Sequence, residues 1–191
     1  DVGCATHFRH GHDEGVFQEA ALLEIIQKYG ADSLRLFIQF CAPPEGDLEW
    51  NVRGLEGCYR FLNRLWRLLY RFQAQWEKSD HETSKVSDEP SVRERSIRRK
   101  LHQTIRKVTQ DLERLHQNTA IAAIMELLNS IYEYVDQGDP NPKLLRELLD
   151  VMVLLISPFA PHIAEEMFLI LGHSGRLASA SWPEHDPELT R

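Results

Sequence analysis

The sequence predicts an all-α fold, an up-and-down bundle of about five helices with a short helical preface. Three observations carry that expectation. Apolar residues recur every three or four positions along most of the chain. No stretch alternates with the two-residue period of a half-buried strand, and no internal repeat stands out. Glycine, proline and capping residues cluster between the periodic segments, where helices must stop and start.

Gln18 to Tyr29 reads as a short helix with Leu22, Leu23, Ile25 and Ile26 apolar, ended by Gly30 at a left-handed cap position. Asp32 is placed to cap a second helix through Leu34, Leu36, Phe37 and Phe40. "CAPPEGDLEW" stops it, because Pro43 and Pro44 lack amide donors and Pro43 disfavours helix at Ala42. A long helix follows from about Asn51 to Trp76. Glu77 to Ser91 is polar and poor in apolar residues, which predicts an exposed connection.

A second long helix runs to about His116 on Ile97, Leu101, Ile105, Val108, Leu112 and Leu115. Asn118 or Thr119 is suited to cap a third, with Ile121, Ile124, Met125, Leu128, Ile131, Tyr132 and Val135 on its apolar side. "QGDPNP" is a turn. Leu144 to Ile156 is apolar nearly all round, the mark of the most buried helix of a bundle. "SPFAPH" breaks it, Pro161 fits the first turn of a last helix, and Gly172 ends that helix. The expected organisation is an amino-terminal segment 1–17, divergent or flexible, then a helical connection 18–50. A bundle 51–172 and a loop-like segment 173–191 complete it.

Length and charge bound the function. The 191 residues suit one domain, or one domain and a piece of another. No apolar run is long enough to span a bilayer, and the first dozen residues hold no apolar signal core. Three widely spaced cysteines, Cys4, Cys41 and Cys58, argue against a disulfide framework and for a reducing, cytoplasmic location. Asp1 in place of a methionine points to a fragment, a trimmed product or a start that is missing here.

The net charge of −7 disfavours a polyanionic partner only if charge is evenly spread. It is not. Residues 53–107 hold 14 Lys/Arg against 7 Asp/Glu, whereas the remainder holds 8 against 22. Within that basic tract, Arg60, Arg64, Arg67 and Arg71 fall within an arc of roughly 60° on a helix. Leu62, Leu65, Leu69 and Phe72 fall on the opposite side. Such a stripe either solubilises an amphipathic helix or meets phosphate, which the planar, permanently charged guanidinium suits. Arg98, Arg99 and Lys100, in "VRERSIRRK", form a second basic cluster that would flank the same backbone or simply be solvated.

Several stretches together resemble the leucyl-tRNA synthetase family of class I aminoacyl-tRNA synthetases: "KYGADSLRLF", "CAPPEGDLEW", "RFLNRLWRL", "NTAIAAIMELLN", "PFAPHIAEEMF" and "WPEHDP". They span about Leu22 to Pro187. "GAD" with "RLF" is shared with the valine, isoleucine and methionine enzymes, while "APPEGDLEW" leading into "RFLNRLW" points to the leucine enzyme. The resemblance implies a helical domain that follows the catalytic domain and holds leucine-specific tRNA along its body, by shape and phosphate contacts rather than by reading the anticodon.

The family's HIGH-like motif is absent. "GHDEGVFQE", where its lysine-bearing KMSKS-like loop would fall, contains no lysine. The chain is therefore expected to do no bond chemistry and to hold no cofactor. The ATP and Mg that the resemblance implies belong to the parent enzyme, with the catalytic domain as a further partner. A synthetase-derived protein-interaction module without RNA binding is the alternative. RNA binding needs the arginine stripe exposed, whereas a protein interface favours an exposed apolar patch.

The remaining candidates have local readings. Trp66 either stacks on an exposed base or sits half-buried against the core. His162, Glu165 and Glu166 share a helix turn but read as turn and cap. Cys4, His7, His10 and His12 are four zinc-ligand types within nine residues. Such crowding with few apolar neighbours rarely closes a structural site, so no metal is expected, and a small metal-binding protein is the weakest reading.

Overall fold

The computed structural model describes residues 14–41, 51–79 and 90–190, with the side chains of 22–41, 51–73 and 90–190. The Cys4/His7/His10/His12 cluster, the Pro43–Pro44 stop and most of the 77–91 connection lie outside the described residues. Seven α-helices are present among those described: α1 (Glu14–Tyr29), α2 (Ala31–Cys41), α3 (Val52–Ser79), α4 (Val92–Glu113), α5 (Gln117–Asp136), α6 (Pro142–Ile156) and α7 (Pro161–Ile170). A single 3-10 turn, Leu177–Ser179, follows. The all-α expectation holds, with α1 and α2 as preface and α3 to α7 as bundle.

Local chemistry explains most boundaries. Gly30 ends α1 at φ +82°, and its N–H donates to the Ile26 carbonyl at 2.9 Å. Ser91 caps α4 in a reciprocal box: its hydroxyl accepts from the Glu94 N–H, and the Glu94 carboxylate accepts from the Ser91 N–H at 2.6 Å. Asn141 caps α6 by accepting from the Lys143 and Leu144 N–H groups, with Pro142 at the first helical position. Pro161 opens α7, and Gly172, at φ +80°, follows its end.

Four expectations need correction. α1 begins at Glu14, four residues before Gln18. α3 continues through Glu77 and Lys78 to Ser79. Neither Asn118 nor Thr119 caps α5, which starts at Gln117. The link from α4 to α5 is only three residues long, and it closes by the His116 N–H donating to the Asp111 carbonyl at 2.7 Å, with Leu115 at φ +61°. The Thr119 hydroxyl donates instead to the buried Asp111 carboxylate at 2.7 Å. Asp32 sits inside the first turn of α2 and caps a different helix: its carboxylate accepts from the Ile163 N–H at the start of α7, at 2.7 Å.

α6 lies at the centre, touching α3, α4, α5 and α7. Eight of its 15 residues are buried, among them Leu148, Leu149, Met152 and Val153. Each such side chain contributes about 1.5–3 kcal/mol of burial. α2 packs against α3 and α5. At its contact with α3 the backbones approach closely: a Cβ on Gly54 would lie 2.9 Å from the buried Phe37 ring. The loop after α7 is pinned across α4, where Trp182 Nε1 donates to the Thr109 hydroxyl at 2.8 Å and the Asp186 N–H to His102 Nδ1 at 3.0 Å. No helix among the described residues is long and apolar enough to cross a membrane.

Candidate nucleic-acid interface

α3 is seated by one face. Leu62, Leu65, Leu69 and Phe72 are buried, and Arg60, Arg64, Arg67 and Arg71 are all exposed on the opposite side. The helix is held by its apolar stripe, so the arginines are not needed to seat it. Their protein contacts are loose. Arg60 stands 3.9 Å from Glu56 one turn back, and Arg71 stands 3.9 Å from Asp136 on α5, with side chains 67% and 59% exposed. Ion pairs of that kind contribute about 0–1 kcal/mol. Arg67 has no ion-pair or hydrogen-bond partner among the described residues. Arg64 lies over the Tyr132 ring, 4.7 Å from its centroid, while the Tyr132 hydroxyl donates to the Arg64 carbonyl oxygen at 2.9 Å. That pair orients the guanidinium and leaves its edge in solvent.

The second basic cluster is different. Arg98 is half-buried and pairs with Glu147 at 3.6 Å; Lys100 is half-buried and pairs with Glu126 at 2.8 Å. Arg99 is exposed and has no such partner among the described residues. One helical turn earlier, Arg93 donates to the Tyr134 and Gln137 carbonyls at 2.6 and 3.2 Å, covering the carboxyl end of α5. Periodicity could not separate these roles, since the partners lie 26 or more residues away.

α5 stands between the two basic tracts. Arg64 shares a cleft with Tyr132, Glu133 and Asp136, whereas Arg99 and Lys100 share a groove with Ser130, Glu133 and Tyr134. The acidic ridge of α5, Glu126, Glu133 and Asp136, therefore separates the clusters.

On the other flank of the arginine stripe, α3 presents Tyr59, Asn63, Trp66 and Tyr70. Trp66 is half-buried and stacks on the exposed Tyr70 ring, with centroids 6.5 Å apart and planes at 22°. Trp66 also lines a cleft of about 460 Å³ bounded by Tyr29, Asp32, Tyr59, Asn63, His162 and Glu166. His162 Nδ1 lies 2.7 Å from Asp32, and Glu165 turns away to accept from the Leu177 N–H. His162, Glu165 and Glu166 thus do not converge, and no group of three or more potential metal ligands exists among the described residues. The Asp32 bridge escaped local reasoning because its partners are 130 residues away.

The family model for "Anticodon-binding domain of tRNA ligase" matches residues 94–191. The chain is 45% identical over 169 residues to a leucine–tRNA ligase of Pseudothermotoga lettingae, and 45% identical over 167 residues to one of Fervidobacterium nodosum. Each match covers 86% of this chain and 20% of the relative, so the chain spans about a fifth of their length. Among solved structures, the ternary complex of the Agrobacterium radiobacter K84 agnB2 LeuRS with tRNA and LeuAMS superposes with a TM-score of 0.77 at 32% identity. That match covers 89% of this chain and 21% of the other. Helical architecture, an arginine face on a firmly seated helix, and these matches agree: the chain belongs to the anticodon-binding domain family of tRNA ligases, alongside those of leucine–tRNA ligases.

Proposed function

We propose that the chain is the tRNA-binding helical domain of a leucyl-tRNA synthetase, positioning leucine-specific tRNA for ATP-dependent leucylation performed by the catalytic domain of the parent enzyme. The observation that carries this reading is the α3 face, on which four exposed arginines stand opposite a fully buried apolar stripe. The solved LeuRS–tRNA complex, similar over most of this chain, supports it. ATP and Mg act in the catalytic domain, and this chain binds neither. Arg60, Arg64, Arg67 and Arg71 are the principal phosphate contacts, with Arg99 as a secondary one across α5. Arg98 and Lys100, held in ion pairs, add little. The exposed apolar side chains of α1, Leu22, Leu23 and Ile26, fit a role as the seat of the catalytic domain. The parent enzyme works in the cytoplasm.

A salt titration of tRNA binding tests the reading. Each phosphate contact contributes a slope of about 0.9 log unit of affinity per log unit of salt on duplex DNA, and roughly as much on an RNA helix. Changing Arg64 and Arg67 together to Ala should weaken binding to all tRNAs alike and flatten that slope. The circular dichroism spectrum should not change. Unchanged affinity and slope in the folded double variant would return the stripe to solvated surface and favour the protein-interaction alternative.

A further inference from the structure

We propose that Tyr132, on α5, is a positioning residue for Arg64 and makes it the phosphate anchor of the arginine stripe; this rests on the tRNA-binding reading above. The four arginines are equivalent by helical spacing, but their surroundings differ. Arg60 and Arg71 are held by loose pairs at 3.9 Å, and Arg67 by none among the described residues. Arg71 also stands 5.2 Å from the ring of Phe72, its own neighbour on α3. Among the described residues, Arg64 alone of the four meets a ring supplied by another helix, 4.7 Å from the Tyr132 centroid.

That ring is itself fixed. Tyr132 is half-buried against the core, and its hydroxyl donates to the Arg64 carbonyl oxygen at 2.9 Å. The ring cannot swing out of the seam between α3 and α5 without losing this hydrogen bond. A free arginine gives up much rotamer freedom when it grips a phosphate. A guanidinium already laid on a fixed ring has less to lose, so it binds more tightly for the same contacts.

Stacking leaves the donors available. The ring takes one face of the guanidinium, whereas its five N–H donors lie in the plane and point outward. Arg64 is exposed, and its side chain makes no hydrogen bond or ion pair among the described residues. Glu133 and Asp136 line the same cleft of about 540 Å³, yet neither pairs with Arg64; Asp136 faces Arg71 instead. Their negative charge repels an anion from the α5 side, so a phosphate meets the Arg64 edge from the α3 side. The planar fork then receives two oxygens of one phosphate.

The test is a double-mutant cycle on binding of a leucine-accepting tRNA transcript, read across a salt series with circular dichroism as the folding control. Tyr132→Leu keeps an apolar side chain but removes the ring face. It should weaken binding about two- to fivefold, the size of an exposed cation–π contact. Its salt slope should stay at the wild-type value, because no charge is lost. Tyr132→Phe, which keeps the ring, should bind as the wild type does. In an Arg64→Ala background, Tyr132→Leu should cause no further loss. An equal loss with and without Arg64 would make Tyr132 a structural residue and overturn the proposal. A folded Tyr132→Leu that binds normally would overturn it too, as would a Tyr132→Phe as weak as Tyr132→Leu. If Tyr132→Leu fails to fold, the single arginine variants decide. Arg64→Ala and Arg67→Ala should both flatten the slope by about 0.9, but Arg64→Ala should lose about two- to fivefold more affinity. Equal losses would overturn the anchor while leaving the tRNA reading intact. A wild-type chain that binds no tRNA would overturn both.

Discussion

The outward faces of α3 and α4 are equally arginine-rich in sequence, yet the fold uses them in opposite ways. Among the described residues, Arg60 and Arg71 on α3 make long, solvent-exposed pairs, Arg64 lies over the Tyr132 ring and Arg67 makes no ion pair, so trading those contacts for phosphate costs little. On α4 most cations are committed to other groups of the protein: Arg93 to the carbonyls ending α5, Arg98 to Glu147, Lys100 to Glu126, Lys107 to Asp111. A run of basic residues therefore identifies a candidate surface only after the partners of each charge are known. What separates an interface from scaffolding is the cost of releasing the side chain.

Four experiments would break or sharpen that contrast. The largest effect belongs to Arg93, which makes two hydrogen bonds to backbone carbonyls and buries its Nε among protein atoms. Arg93→Ala should lower stability by about 2–3 kcal/mol by leaving the α5 carbonyls without donors. Chemical denaturation should register this, while the salt slope of tRNA binding stays unchanged. A stability loss as large in the Arg64→Ala/Arg67→Ala variant would erase the distinction.

Glu94 comes next. The Ser91 N–H and then the Asn141 side-chain amide donate to its carboxylate and hold it below the ordinary value of 4.5. A depressed folded pKa means the stabilisation is complete above the ordinary range and is lost as pH falls through the depressed value. Asp111 titrates in the same sense: burial alone would raise it, but hydrogen bonds from Lys107 and Thr119 hold it below its ordinary value of 3.8. The Glu94 contribution is therefore the difference between wild type and Glu94→Gln. The wild type should be the more stable by up to about 1 kcal/mol at neutral pH, the size of a lost cap. That gap should close as the pH falls below 4.5.

A smaller effect, of opposite sign, is expected at the junction of the two faces. Asp136 is the acid that competes for Arg71. Asp136→Asn should tighten tRNA binding about two- to fivefold with no change in melting temperature, since an exposed pair of this kind adds little to folding. Weaker binding would mean that Asp136 positions Arg71 instead of restraining it. The smallest effect should come from Lys100→Ala, about 0.5 kcal/mol in stability through the lost Glu126 pair and no measurable change in tRNA affinity. A clear affinity loss would place the α4 cluster on the RNA after all.

Much of the fold was legible residue by residue, wherever the determining chemistry is local. Gly30, Pro142, Pro161 and Gly172 mark ends that backbone geometry dictates within one helical turn, and the apolar run of α6 announces its central place. The α3 stripe was legible for the same reason, since side chains three and four apart must share a face. The misplaced caps were failures of locality. Asp32 is sterically suited to its own helix, but its carboxylate finds a better donor set at α7, and Thr119 gives its hydroxyl to a buried Asp111.

What the sequence determined by itself is thus the helical class, the order and approximate ends of the helices, and one face of α3 that is basic opposite one that buries, because helical periodicity and backbone sterics act over a few residues. Tertiary structure alone decided which cations are unpaired among the described residues, that α5 stands between the two basic tracts, and that Trp66 opens onto a cleft walled by residues from α1, α2 and α7. Those outcomes depend on which surfaces meet across tens of residues, where each buried polar group must find whatever partner the packing brings within about 3 Å.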